Sequence, residues 1–143
     1  MRACRRVGGW FVMLGCVLSL GITTIAAPPG QSIIPVLQTQ LGLSDQQVRG
    51  ALGALLIFVR EELPKAEFDE LARTIPNADR IMQEAKARGI VTRPLDDVAE
   101  FEAALSSIGI GQPLASRFAP AVVQSLAEAG HARERDILLH ALN

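Results

Sequence analysis

The stretch LGLSDQQVRGALGALLIFV occupies residues 41–59, and from residue 50 to residue 59 it carries no polar side chain. A helix over these positions is apolar on every face, which suits either the middle of a packed core or a membrane. Its length decides between them. Ten helical residues span roughly 15 Å, against about 30 Å of hydrocarbon in a bilayer. Arg49 and Arg60 bracket the run closely. The segment therefore reads as the central helix of a small bundle, with Gly50, Gly53 and Ala54 letting neighbouring backbones approach. A lining for an apolar ligand is the second reading.

Capping residues divide the remaining chain into helices. Ser32 is placed to cap a helix over 33–41, with Pro35 in its first turn and Gly42 just past its end. Ser44 followed by Gln47 is a capping-box pattern, so the central helix runs over 45–62. Pro64 suits the first turn of a helix that turns Phe68, Leu71 and Ile75 inward, and Pro76 stops it. Asn77 is expected to cap the next helix, which buries Ile81, Met82 and Ala85 before Gly89. Residues 90–94 (IVTRP) form a non-helical connection. Asp96 and Asp97 then open a helix with Val98, Phe101, Leu105 and Ile108 facing in. Residues 112–129 follow, with Leu114, Phe118, Val122 and Leu126 on one face; Pro120 is expected to bend or split this helix near 116–118. After Gly130 a last helix over 132–142 presents Ile137, Leu138 and Leu142. No segment alternates as a strand, so the fold class is all-α: a compact bundle of six to seven short helices around one apolar helix.

Ahead of the bundle lies a segment of different character. Arg2, Arg5 and Arg6 precede residues 7–27, which carry no charge and end in small residues. That order of basic, apolar and small residues is an export signal. Pro28 disfavours cleavage after Ala27, so residues 1–26 are expected to be removed, leaving 27–32 (APPGQS) as a linker and 33–143 as the domain. Retention of residues 7–27 as an anchor is one alternative, and lipidation of Cys16 behind a loose Met-Leu-Gly lipobox is another. Cleavage removes three of the 14 basic residues and none of the 15 acidic ones, leaving a net charge of −4. An acidic domain argues against nucleic acid, whose binding rests on neutralising phosphates. Cys4, Cys16 and Trp10 also leave, so the mature form can hold no disulfide and, with no Tyr in the chain, barely absorbs at 280 nm.

Two stretches echo each other. LGLSDQQVRGALGALLIFV and IGIGQPLASRFAPAVVQSL align without gaps from Leu41 and Ile108, each running apolar-Gly-apolar, then a small residue, then an apolar helix. Together, LGLSDQQVRGALGALL, FDELARTIPNADRIM and IGIGQPLASRFAPAVV resemble the bacterial VcgC/VcgE-like family of unknown function, over residues 33–143. The shared signature is an LG-apolar-Ser turn, a Gly/Ala-rich helix, an Ile-Pro-Gly-Ala-Asp segment and a late helical Pro. Asn77 stands where that segment usually has Gly, which the same turn tolerates. The resemblance implies a small, often exported, all-helical domain. It brings no activity and no site residues.

Polar residues offer little chemistry. His131 and His140 are nine positions apart and share no helix face; Glu134 beside the first and Asp136 beside the second give too few ligands for a metal, so no metal or cofactor is expected. Asp96, Asp97 and Glu100 fall within one helical turn, where acid–base work is conceivable but complementing the helix dipole is the simpler role. Glu61, Glu62, Glu67, Asp69 and Glu70 read as a solvated face partnered by Lys65 and Arg60. Ser106, Ser107, Ser116 and Ser125 lie in helical patterns with no local histidine and no nucleophile elbow. Gly109-Ile110-Gly111 lacks the strand, third glycine and lysine of a phosphate loop. Phe58, Phe68, Phe101 and Phe118 are core anchors without interleaved basic residues. No catalytic, cofactor-binding or metal residue is assigned.

The resulting expectation is an exported, non-catalytic helical domain in the periplasm or secreted, acting through contact with another envelope protein or with itself. The membrane enters only through the N-terminal segment, should that be retained. The alternative is a carrier or sensor of a small apolar ligand held between helices.

Overall fold

The computed structural model describes residues 32–143, where seven α-helices follow one another with no strand among the described residues. The expected export segment, and the linker up to residue 31, lie outside the described residues. None of the described helices is long and apolar enough to cross a membrane.

Local chemistry sets the first two helices. Ser32 Oγ accepts from Ile34 N at 3.4 Å to open α1 (Ile33–Leu41), and Gly42 closes it at φ 65°. The Ser44–Gln47 capping box forms in both directions: Gln47 N donates to Ser44 Oγ at 3.3 Å, and Ser44 N donates to Gln47 Oε1 at 3.1 Å. It opens α2 (Asp45–Glu62), every residue of which from 50 to 59 is buried. The same Gln47 donates Nε2 to Ile108 O at 3.3 Å, tying the start of α2 to a distant turn.

The bundle closes around α2 as its composition requires. It packs against α1, α3 (Lys65–Thr74), α4 (Ala78–Ala87), α5 (Val98–Ser107) and α7 (Ala132–Ala141). The α4 contact is the most intimate. A Cβ added at Gly53 would lie 2.7 Å from Ala85 Cβ and 2.7 Å from Ile81 O, so backbone meets backbone there. Helix α6 (Gln112–Glu128) rests instead on α1, α5 and α7. Between α4 and α5 the chain is non-helical, pinned by buried Ile90, Val91 and Leu95.

Three expectations change. Asn77 does precede α4, but its side chain makes no capping bond; it sits at φ 60°, the only non-glycine in the left-handed region among the described residues. Its short polar side chain tolerates that turn, so the backbone and not the cap explains it. Of the bend or split expected at Pro120, the split does not occur: α6 runs continuously from Gln112 to Glu128 with the proline inside it. Phe118 and Val122, on either side of the proline, are both buried, and that packing holds the helix despite the missing donor. Val98 does not face in: it is 47% exposed.

The internal echo has a structural counterpart. Gly42 and Gly109 both take positive φ, Leu43 and Ile110 are both buried, and α2 and α6 begin at aligned positions, Asp45 and Gln112.

Candidate functional site

Several of the polar residues that stand out in the sequence do structural work. Asp97 caps α5, accepting from Glu100 N at 2.7 Å; Glu100 accepts from Asp96 N at 3.0 Å and pairs with Arg93 at 2.7 Å. These carboxylates thus satisfy free amides at a helix start and draw on its dipole. Ser106, Ser107 and Ser125 each donate to a carbonyl of their own helix, at 3.0, 2.6 and 2.8 Å. His131 lies ahead of α7 with Nδ1 3.8 Å from Glu134, and His140 is exposed at the far end of that helix. Among the described residues no group of three or more His, Cys, Asp or Glu converges as a metal set. On the acidic face Lys65 pairs with Asp69 at 2.6 Å as expected, while Glu70 takes Arg133 of α7 at 2.9 Å, a partner the local sequence does not reveal.

The feature that stands out is apolar. Helices α5, α6 and α7 enclose a groove of about 400 Å³ that is open on one side. Phe58 and Phe101 reach its base, their rings 6.3 Å apart and tilted by 32°. Ala119, Pro120 and Val123 of α6 continue the lining. Val98 and Leu139, the two exposed large hydrophobic residues of the described chain, form part of the α5 and α7 walls at 47% and 40% exposure. Placing such side chains together beside a buried aromatic pair leaves apolar area in water that the fold does not use.

Few polar groups line the groove. Glu102 accepts from Ser116 Oγ at 2.7 Å and from Gln112 Nε2 at 3.2 Å, pinning α5 to α6. Arg135 of α7 lines it too, with Nε and Nη2 donating to Asp136 Oδ1 at 2.8 and 2.6 Å. A larger and more open hollow of about 600 Å³ between α3 and α4 differs in kind: Asp69, Arg73, Asn77, Asp79 and Arg80 make about half of its lining polar. The groove escapes the sequence because its walls come from three helices, and periodicity counts Val98 as inward-facing without knowing that no neighbour covers it.

Neither a curated protein nor a solved structure matches the chain. A family profile does match, over residues 22–143, beginning ahead of the expected domain start at Ile33 and running to Asn143. The chain belongs to the family of proteins of unknown function VcgC/VcgE (DUF2780).

Proposed function

We propose that this chain is an exported, non-catalytic binding module whose α5–α6–α7 groove is its contact surface for another protein of the cell envelope or for a second copy. One observation carries the reading: Val98 and Leu139, on facing walls of the same groove, leave apolar surface in water beside a buried aromatic pair. Interaction surfaces expose contiguous apolar patches of this kind, whereas isolated exposed side chains carry no such meaning. The Asp97 and Glu100 carboxylates are engaged in capping and an ion pair, which favours binding over catalysis. The acidic balance of residues 27–143 supports a partner other than nucleic acid, and the charge-free segment 7–27 behind three arginines supports export.

A photo-crosslinking residue at position 139, introduced in cells, tests this directly. A discrete protein adduct is expected there and none at Arg73, which is exposed away from the groove. Adducts at neither site, or at position 73 alone, contradict the proposal. The second reading, a small apolar ligand, is favoured by the volume, which falls within the ~300–1,000 Å³ of ligand pockets. Under that reading, native mass spectrometry of the purified protein shows a bound small molecule and position 139 gives no protein adduct.

A further inference from the structure

We infer that the groove receives an amphipathic α-helix of a partner protein, laid along α6, with an acidic residue facing Arg135 and a basic residue facing Glu102. The inference rests on the groove being the contact surface and adds the chemistry of what enters it.

The short turns joining α5 to α6 and α6 to α7 place the two charged residues that line the groove, Glu102 and Arg135, towards opposite ends of it. Helix α6 follows α5, and α7 follows α6, through short turns, so each pair runs antiparallel. Glu102 is bonded to Gln112 and Ser116, near the start of α6. The lining positions on α7 are 135 and 139, with 142 and 143 just past its end, and those of α6 include 127, 123 and 120. Antiparallel register sets Arg135 level with Ala127, Leu139 with Val123 and Leu142 with Pro120. From Ser116 to Ala127 the rise along α6 is about 16 Å, or three turns of an apposed helix. Apolar side chains at i, i+4 and i+7 of such a helix match that span, which is how helices enter grooves.

Both charges are available to a partner. The Glu102 carboxylate is held by two neutral donors, so its charge is not cancelled there. Arg135 uses Nε and Nη2 on Asp136, leaving Nη1 uncommitted in that pair, and Asp136 is 63% exposed. An exposed pair of this kind is weak and gives way to a better partner. A single-headed amphiphile fits less well, because its tail would end against the charged Glu102. A second copy docking groove to groove would set one concave face against another and leave a void.

Three helix-stapled peptides with the same leucine spacing test the inference against the purified protein: one with Glu at one end and Lys at the other, one with Glu at both ends, one with Lys at both. Titration by fluorescence anisotropy is expected to show the mixed peptide binding about fivefold more tightly than either homopolar one, the discrimination of roughly one exposed ion pair. Arg135→Glu gives the groove two acidic ends and should move the preference to the lysine-ended peptide. Equal binding of all three peptides overturns the charge register while sparing the groove as a contact surface. No peptide binding, with saturable dodecanoate binding or with dimers in sedimentation, overturns the helix as occupant. No peptide binding together with no adduct at position 139 removes both readings.

Discussion

The α2–α4 contact and the α5–α6–α7 groove are both built from small and apolar residues, yet they treat space in opposite ways. At Gly53 the two helices meet so closely that one added carbon would fall 2.7 Å from Ile81 O and from Ala85 Cβ. Across α6, by contrast, α5 and α7 stand apart and leave about 400 Å³ between them, with Val98 and Leu139 bare on the walls. Close packing earns dispersion contacts and excludes water, so the first region holds the fold together. The second leaves apolar surface uncovered that a neighbouring helix could have covered. The close packing that holds the fold and the groove proposed for binding thus lie on different sides of one small bundle.

Helix α6 belongs to both sides, so changes on its two faces should separate most widely. Phe118 is fully buried on the inner face. Phe118→Ala is expected to cost about 3–5 kcal/mol of unfolding free energy. Urea melts followed by far-UV circular dichroism would measure it, a suitable probe because Trp10 is the chain's one Trp and it has no Tyr. Gly53→Ala should cost about 1–3 kcal/mol through overpacking, even though alanine favours a helix by up to ~1 kcal/mol over glycine. Its damage should be confined to the fold, with peptide binding at the groove intact under conditions where the variant remains folded. Asn77→Ala, which forces a β-carbon without a polar group into the left-handed turn before α4, should cost about 1–2 kcal/mol, while Asn77→Gly should be close to neutral.

Much of this architecture was written locally. Ser32, Gly42, Ser44 and Gln47 set both ends of α1 and the start of α2, because capping is chemistry between residues a few positions apart. The buried run 50–59 identified the central helix, because nothing else of that length and polarity can be satisfied in water. What depends on distant residues was not legible. Val98 follows the periodicity of an inward position, but whether a neighbouring helix covers it is decided elsewhere in the chain, and it is 47% exposed. Pro120 obeys a local rule against mid-helix proline that the burial of Phe118 and Val122 overrides. Glu70 has lysine and arginine nearby in sequence, yet its partner is Arg133, more than sixty positions away. The groove belongs to this non-local class: none of its three walls declares it alone.

The double variant Val98→Ser/Leu139→Ser, unfolded in urea beside the parent protein, tests most directly whether these two side chains serve contact and not the fold. The expected shift is within about 0.5 kcal/mol, the range of surface substitutions that touch nothing essential. A loss of 2 kcal/mol or more, on the order of a vacated core position, would contradict the account and return the groove to the hydrophobic core.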